Sequence, residues 1–429
     1  MKKILIFAAT AAFMVFCPAG ANAAKVDLGR YTIVYSASAE EEEGLEIATL
    51  LQQVIKDQTG AELPIVSDET QAVKKEILIG RTSRPESAAF YEAGPDTFDY
   101  SVSFKKGKLV VAGGGCWALA EAVRQIPAKP DAAIKLKGSI YGRMIFLREE
   151  GTNLRILDDN IWDYGKENNS PAWEAVGADC RDIVRARGLA EIVYAFMPDI
   201  LCMQEYSDKM DPILRPMLEE KGYKIAFVPG EQWNHTPIFY QPSAVTLKET
   251  KYHRYTPEMW SNKGSKSYNW AMFTLNATGK DFFVINTHLW WKSDKVQEGS
   301  TEARASQVRE MMKESERAVV LNDVPVFMMG DMNCNLSSKP MIQLLDWGYK
   351  PVSWIAKVYG DPRNGHHECN NNAFSRKKNK SDENGMGAID QFFLYNGGDT
   401  EILVFKRVQA YFTVPITDHY PNYVDAILK

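Results

Sequence analysis

Apolar residues along this chain gather into short runs, and most runs border a polar residue capable of chemistry. Leu154-Arg155-Ile156-Leu157 leads to Asn160, and the apolar stretch Pro198 to Met203 leads to Glu205. Trp270 to Leu275 and Phe282 to Asn286 flank the turn residues Asn276 to Gly279 and lead on to His288. Val324 to Met329 leads to Asp331. Asp390 precedes Gln391-Phe392-Phe393-Leu394, and His419 precedes Tyr423 to Ile427. Short runs rich in β-branched and aromatic residues, bounded by turn residues, predict strands. Between them, Trp173 to Phe196 and Thr301 to Val319 repeat apolar residues at helical spacing.

An earlier block, residues 25–137, has the same mixed character. Tyr31 to Tyr35 and Glu76 to Gly80 read as strands, and Glu40 to Gln58 as a helix with Leu45, Ala48, Leu51, Val54 and Ile55 on one face. Tyr100 to Phe104 and Lys108 to Ala112 read as a hairpin around Lys106-Gly107, followed by a helix from Trp117 to Ile126. Gly113-Gly114-Gly115 fits no nucleotide-binding fingerprint and reads as a strand-to-helix turn that needs glycine for steric reasons. Pro127 to Lys137 reads as a linker. Thr59 to Ile65, Ile79-Gly80-Arg81-Thr82 and Ala112-Gly113-Gly114 make this block resemble the small α/β domain that precedes the catalytic domain in several glycoside hydrolase families.

The first 23 residues form a processing segment: Lys2 and Lys3, an apolar stretch Ile4 to Phe16 too short for an ordinary membrane span, then Ala21-Asn22-Ala23 as a cleavage pattern. This predicts export, with no transmembrane segment once the signal is removed. Cys17 raises a lipoprotein alternative, which the bulky Phe16 before it disfavours. The expected organisation is a signal at 1–23, a small α/β accessory domain at 25–137 and a catalytic domain at 138–429. Composition is that of a globular protein, with 45% hydrophobic and 24% charged residues, and the formal net charge of −5 offers no whole-protein basic footprint for nucleic acid. Cys116, Cys180, Cys202, Cys334 and Cys369 show neither a disulfide framework nor zinc spacing.

Six signatures carry the candidate chemistry: Asp159-Asn160-Ile161-Trp162, Gln204-Glu205, Asn286-Thr287-His288-Leu289, Gly330-Asp331-Met332-Asn333, Ile389-Asp390 and Thr417-Asp418-His419. Carboxylates, carboxamides and imidazoles are the groups that hold a hard cation, touch a phosphate and move a proton. Glu205 at a strand end is a natural magnesium ligand. Gly330 lets the backbone turn, so that Asp331 and Asn333 face one site. In this order the signatures resemble the endonuclease/exonuclease/phosphatase superfamily over roughly residues 145–429, most specifically in Gly-Asp-Met-Asn and the terminal Asp-His-Tyr-Pro. One departure is visible: the first signature often reads Tyr-Asn or Trp-Asn in the family, and here Asp158-Asp159-Asn160.

The resemblance implies a four-layer α/β/β/α sandwich of two mixed sheets, and magnesium- or manganese-assisted hydrolysis of a phosphoester. It implies metal ligation by Glu205, Asn160 and Asp418, a general base in His419 held by Asp390, phosphate contacts from His288 and Asn333, and Asp331 at the attacking water or the metal. Trp162, Trp290 and Trp291 follow signature residues and are candidates for the cleft mouth, against core filling. Arg376 to Lys380 and His366-His367 are weaker candidates, a solvated charged loop being the plainer reading of the first. The substrate stays open among small molecules, lipid headgroups and nucleic acid, and a monomer is expected. Two rivals stand beside this reading. An inactive glycan- or surface-binding protein conflicts with the intact signatures. A glycoside hydrolase would leave Asn333 and His419 without a role.

Overall fold

The structure, a computed structural model, describes residues 24–38, 44–95, 98–126, 133–136, 139–143, 146–162, 182–226, 233–262, 264–360, 388–407, 417, 419 and 421–429. The chain divides into two compact units between Leu147 and Arg148.

The first unit runs β1 (Ala24–Asp27), β2 (Thr32–Tyr35), α1 (Gly44–Thr59), β3 (Ile65–Ser67), β4 (Glu76–Ile79), α2 (Pro85–Glu92), β5 (Asp99–Lys105), β6 (Lys108–Gly113), α3 (Cys116–Arg124), β7 (Ala133–Leu136) and β8 (Ile140–Arg143). Its main sheet has the order β3-β2-β4-β6-β5-β8, with β5 alone running against the direction of the other strands. Ile47, Leu51 and Ile55 of α1 and Leu119 and Val123 of α3 bury against Ile33, Ile77 and Val111 on one face of that sheet. Phe90 and Tyr91 of α2 cover Val34, Leu78 and Val110 on the other. The β5–β6 turn has left-handed φ at both Lys106 and Gly107, 49° and 88°. A Cβ on Gly113 would lie 2.2 Å from the Leu119 backbone nitrogen, so glycine is what lets α3 pack on β6. The stretch read as a linker contains β7, which pairs with β1, and β8 joins the main sheet. The boundary expected after Lys137 therefore moves to Leu147, because strand pairing holds the intervening residues to the first unit.

The second unit runs β9 (Leu154–Asn160), α4 (Asp182–Phe196), β10 (Ile200–Gln204), α5 (Asp211–Glu220), β11 (Lys224–Ile225), β12 (Ile238–Tyr240), β13 (Val245–Arg254), β14 (Ser267–Leu275) and β15 (Lys280–His288). It continues with α6 (Ser300–Asn322), β16 (Val326–Asp331), α7 (Lys339–Trp347), β17 (Lys350–Pro351), α8 (Val352–Ile355), β18 (Val358–Gly360), β19 (Asp390–Tyr395), β20 (Glu401–Arg407) and β21 (Asn422–Ile427). These strands form two mixed sheets, one of seven strands (β11-β12-β10-β9-β21-β20-β18) and one of six (β13-β14-β15-β16-β19-β17). Ile156, Cys202, Val284, Phe327, Phe392 and Val424 meet between them. Val308 and Met311 of α6, with Met341 and Leu344 of α7, cover the outer face of the six-stranded sheet through Ile285 and Met328. Phe196 at the end of α4 packs on Tyr423 of the seven-stranded sheet. The result is the four-layer α/β/β/α sandwich expected.

β13 and β20 were not expected as strands. β13 is the last strand of its sheet and carries Lys248, Glu249, Lys251 and Arg254, the charged surface that edge strands show. Of the Trp173 to Phe196 helix, the part from Asp182 is described, and Ile183, read as apolar-face, is exposed.

Candidate active site

Side chains alternate across a strand, so residues two apart share a face. Along β9 the face between the sheets carries Leu154, Ile156, Asp158 and Asn160; along β15 it carries Phe282, Val284, Asn286 and His288. On β16 it carries Phe327, Met329 and Asp331, and on β19 Asp390, Phe392 and Leu394. At one end of the sandwich the apolar interior thus gives way to polar side chains, all of them buried. Register lines them up: His288 is opposite Asp331, and Asp331 opposite Asp390.

Backbone geometry past these strand ends is unusual. Trp162, Glu205 and Asn333, just after β9, β10 and β16, have φ of 50°, 56° and 49°. Left-handed backbone in non-glycine residues costs on the order of 1–3 kcal/mol and persists where the surroundings over-determine it. Gly330 has φ 133°, and a Cβ there would lie 2.0 Å from the carbonyl oxygen of Thr287 on the paired strand. Gly330→Ala is expected to force β15 and β16 apart and to cost on the order of 3 kcal/mol or more. Urea unfolding measures it, and an unshifted midpoint would contradict the contact.

His419 Nδ1 meets Asp390 Oδ2 at 2.8 Å and Oδ1 at 3.0 Å, with both residues buried. The opposite ring nitrogen, Nε2, lies 3.9 Å from Asp331 Oδ2. Asp331 Oδ2 also stands 3.3 Å from His288 Nε2 and accepts the Asn160 Nδ2 hydrogen at 3.0 Å. Glu205 Oε1 lies 3.7 Å from the same His288 nitrogen, and its side chain is still 18% exposed. Asn333 donates its backbone N–H to Asp331 Oδ1 at 2.8 Å and Nδ2 to the Leu289 carbonyl at 3.0 Å, so one amide hydrogen is already committed. Asp158, the first extra acid, accepts from Gln204 inside the sandwich. Asp159 is on the other face of β9, and among the described residues its buried Oδ1 has no hydrogen-bond partner.

Charge is unevenly distributed in this site. Burial pushes the Asp331 carboxyl upward. The His288 hydrogen bond and the charges of His288, His419 and Lys266 outweigh it and hold Asp331 well below the usual carboxylate range. Burial raises Asp390, with His419 and Arg407 opposing. Asp158 and Asp159 are pushed well up, by burial first and then by neighbouring carboxylates. Burial, then the adjacent Lys266 charge, lowers His288 and favours its neutral imidazole.

Lys266 is a site residue that the sequence reading missed. It is 4% exposed, and its Nζ lies against both ring nitrogens of His288, 3.2 Å from Nδ1. Its position in the polar stretch Ser261 to Ser267 looks like a solvated loop. The signal was its place immediately before β14, whose first residue, Ser267, pairs with His288. The tryptophan candidates separate. Trp290 is buried, its indole donates to Ser300 Oγ at 3.2 Å, and it packs edge-on against Trp260, so it fills the core and does not line the cleft mouth. Trp291 is 52% exposed, and Trp162 is half-buried. Asp418, His366-His367, Arg376 to Lys380, Cys180 and Cys369 lie outside the described residues, while Cys202 and Cys334 are free, buried thiols.

Two mixed sheets back to back, with carboxylates and histidines gathered at the ends of their strands, define a deoxyribonuclease I-like sandwich. No protein-family model matches the chain, and no curated protein matches it by sequence. Solved structures do. A mannosyl-6-phosphatase from Bacteroides thetaiotaomicron VPI-5482 aligns with TM-score 0.50 and 17% identity, covering 64% of this chain and 99% of that one. An endonuclease/exonuclease/phosphatase family protein from Bacteroides thetaiotaomicron aligns with TM-score 0.50 and 17% identity, covering 64% and 98%. The chain has the endonuclease/exonuclease/phosphatase fold, as its ordered signatures implied.

Proposed function

We propose that this protein is an exported hydrolase of phosphoesters that works with magnesium or manganese. The observation that carries the reading is the convergence of the Asp390–His419 pair with Asp331, His288 and Asn160 at one end of the sandwich. The donor set fits a hard divalent ion: the partly exposed Glu205 carboxylate and the Asn160 amide oxygen sit at adjacent strand ends, and oxygen donors suit magnesium. Asp418 is the third ligand expected from the sequence. Among the described residues, Asp331, Asp390 and His419 also bring one possible ligand atom each within 4.8 Å of one another. The mutual hydrogen bond of His419 and Asp390 favours a proton relay for that group. A bound divalent ion would supply positive charge against the phosphoryl oxygens.

The remaining chemistry belongs to the side chains. Asp390 accepts the Nδ1–H of His419 and so fixes the tautomer in which Nε2 carries no hydrogen and can accept a proton. A water between Nε2 and Asp331 gives its proton to His419 as its oxygen bonds to phosphorus. The opposite P–O ester bond breaks, and the leaving alcohol oxygen takes a proton from solvent. His288, Lys266 and the remaining Asn333 amide hydrogen face the nonbridging oxygens, where negative charge builds. Substrate is a phosphoester of a small molecule or lipid headgroup, or a nucleic acid. The net charge of −5 weighs against long nucleic acid. The first unit is an accessory domain that supplies no catalytic residue. Export rests on Lys2-Lys3 and Ala21-Asn22-Ala23. Among the described residues no helix is long and apolar enough to cross a membrane.

Excess chelator should abolish turnover, and magnesium or manganese should restore it. Glu205→Gln keeps the shape and removes the charge. It should raise the magnesium concentration needed for half-maximal rate while leaving the unfolding midpoint in place. Full turnover in chelator would remove the metal from the reading.

A further inference from the structure

Gln204 and Asn286 belong to the signatures, yet the chemistry above uses neither. Both are fully buried. Gln204 Nε2 donates to Asp158 Oδ1 at 2.7 Å and to Asn286 Oδ1 at 2.6 Å. Asn286 Nδ2 in turn donates to the main-chain oxygens of Met203 at 2.7 Å and Pro237 at 2.8 Å. Asp158 and Gln204 lie in the seven-stranded sheet and Asn286 in the six-stranded one, so this chain of hydrogen bonds crosses the sandwich. Ile156, Cys202 and Val284 on its inner side are apolar, whereas Asn160 and His288, on the other side, form the site. A polar layer thus lies directly under the candidate active site.

We infer that Gln204 is a positioning residue for the hydrolytic site, an inference that rests on the phosphoester reading above. Its bond to Asn286 ties the two sheets together and so sets the gap between them, while its bond to Asp158 holds it to the neighbouring strand β9. That gap fixes Asn160 and Glu205, on one sheet, relative to His288 and Asp331, on the other. Glu205 is the next residue, and its left-handed backbone needs a fixed neighbour. Gln204 supplies one, because its carbonyl also accepts the Ile161 N–H at 3.1 Å. Asp158, Gln204 and Asn286 are all buried, so removing the donor strips the Asp158 and Asn286 oxygens of a hydrogen bond where bulk solvent does not reach. A shift of about 1 Å in a site of this kind costs roughly 10²-fold in rate. Asp158 serves here as an acceptor, and its charge is not needed for that role.

The test pairs disruptive with conservative variants in the full chain, assayed on bis-p-nitrophenyl phosphate. Gln204→Met keeps length and loses both donors. Its kcat should fall by roughly 10–100-fold, with KM little changed and a raised magnesium requirement. Asp158→Leu should behave alike, whereas Asp158→Asn, which keeps the accepting oxygen, should hold kcat near the wild-type value. Wild-type kcat in Gln204→Met, or equal losses in Asp158→Asn and Asp158→Leu, would overturn the inference. A crystal structure of Gln204→Met decides it independently of activity. The contact from Asn160 Nδ2 to Asp331 Oδ2, 3.0 Å here, should open, and an unchanged contact would overturn the inference. A wild-type protein that turns over neither this ester nor p-nitrophenyl phosphate would count against the phosphoester reading instead, and the structural comparison would still decide this one.

Discussion

His419→Ala is expected to lower turnover by a factor on the order of 10²–10⁴, the span that a positioned general base contributes. The loss should fall on kcat, because the imidazole acts on the attacking water and not on substrate capture. His419 is buried and paired at 2.8 Å with Asp390, so its removal also leaves a buried carboxylate without its partner. Asp390→Asn separates the two effects. Its amide can present N–H to Nδ1 and so move the proton to Nε2, the wrong tautomer for accepting a proton from water. It should lose much of the rate with little change in unfolding midpoint. Steady-state kinetics beside urea unfolding reads both quantities, and undiminished turnover in His419→Ala would end the proton-relay assignment.

Asp425→Ala is expected to have the largest effect on stability, about 3–5 kcal/mol, the usual result of stripping one partner from a buried ion pair. Arg155 is completely buried, and its guanidinium donates from Nε to Asp425 Oδ1 at 2.6 Å and from Nη2 to Oδ2 at 2.7 Å. Nη1 donates to the Phe196 carbonyl at 2.8 Å, and the group lies 5.1 Å over the Tyr423 ring. With Asp425 gone, that buried charge loses the carboxylate it is paired with. Arg155→Met combined with Asp425→Leu should recover much of the loss, because an apolar pair avoids the desolvation cost. Arg155 sits near the start of β9 and Asn160 at its end. The folded fraction of Asp425→Ala should therefore keep its specific turnover. A midpoint within error of wild type would show that the pair contributes nothing.

Much of the second unit was legible because both faces of its central strands are covered. Runs such as Ile200-Leu201-Cys202-Met203 then have to be apolar, and the first polar residues past them stand at a strand end. Period-two alternation explains why Asn160, His288 and Asp331 share one interior face. It also explains why Asp158 and Asp159 part ways, one turned between the sheets and one away from them. What stayed hidden depends on tertiary contact. Lys266 looks like loop charge until β14 brings it to His288. Trp290 and Trp291 are neighbours of one type, and only the fold of α6 over the first decides which is buried. The unit boundary was misplaced because β7 and β8 are short strands whose pairing partners, β1 and β5, lie far back in the chain.

The most direct test is hydrolysis of bis-p-nitrophenyl phosphate and p-nitrophenyl phosphate by the full chain, in magnesium and again in excess chelator, beside His419→Ala. Turnover of at least one ester in magnesium is predicted, with loss in chelator and in the variant. Turnover that survives both chelator and the loss of His419 would contradict a metal-assisted phosphoesterase built on the Asp390–His419 pair.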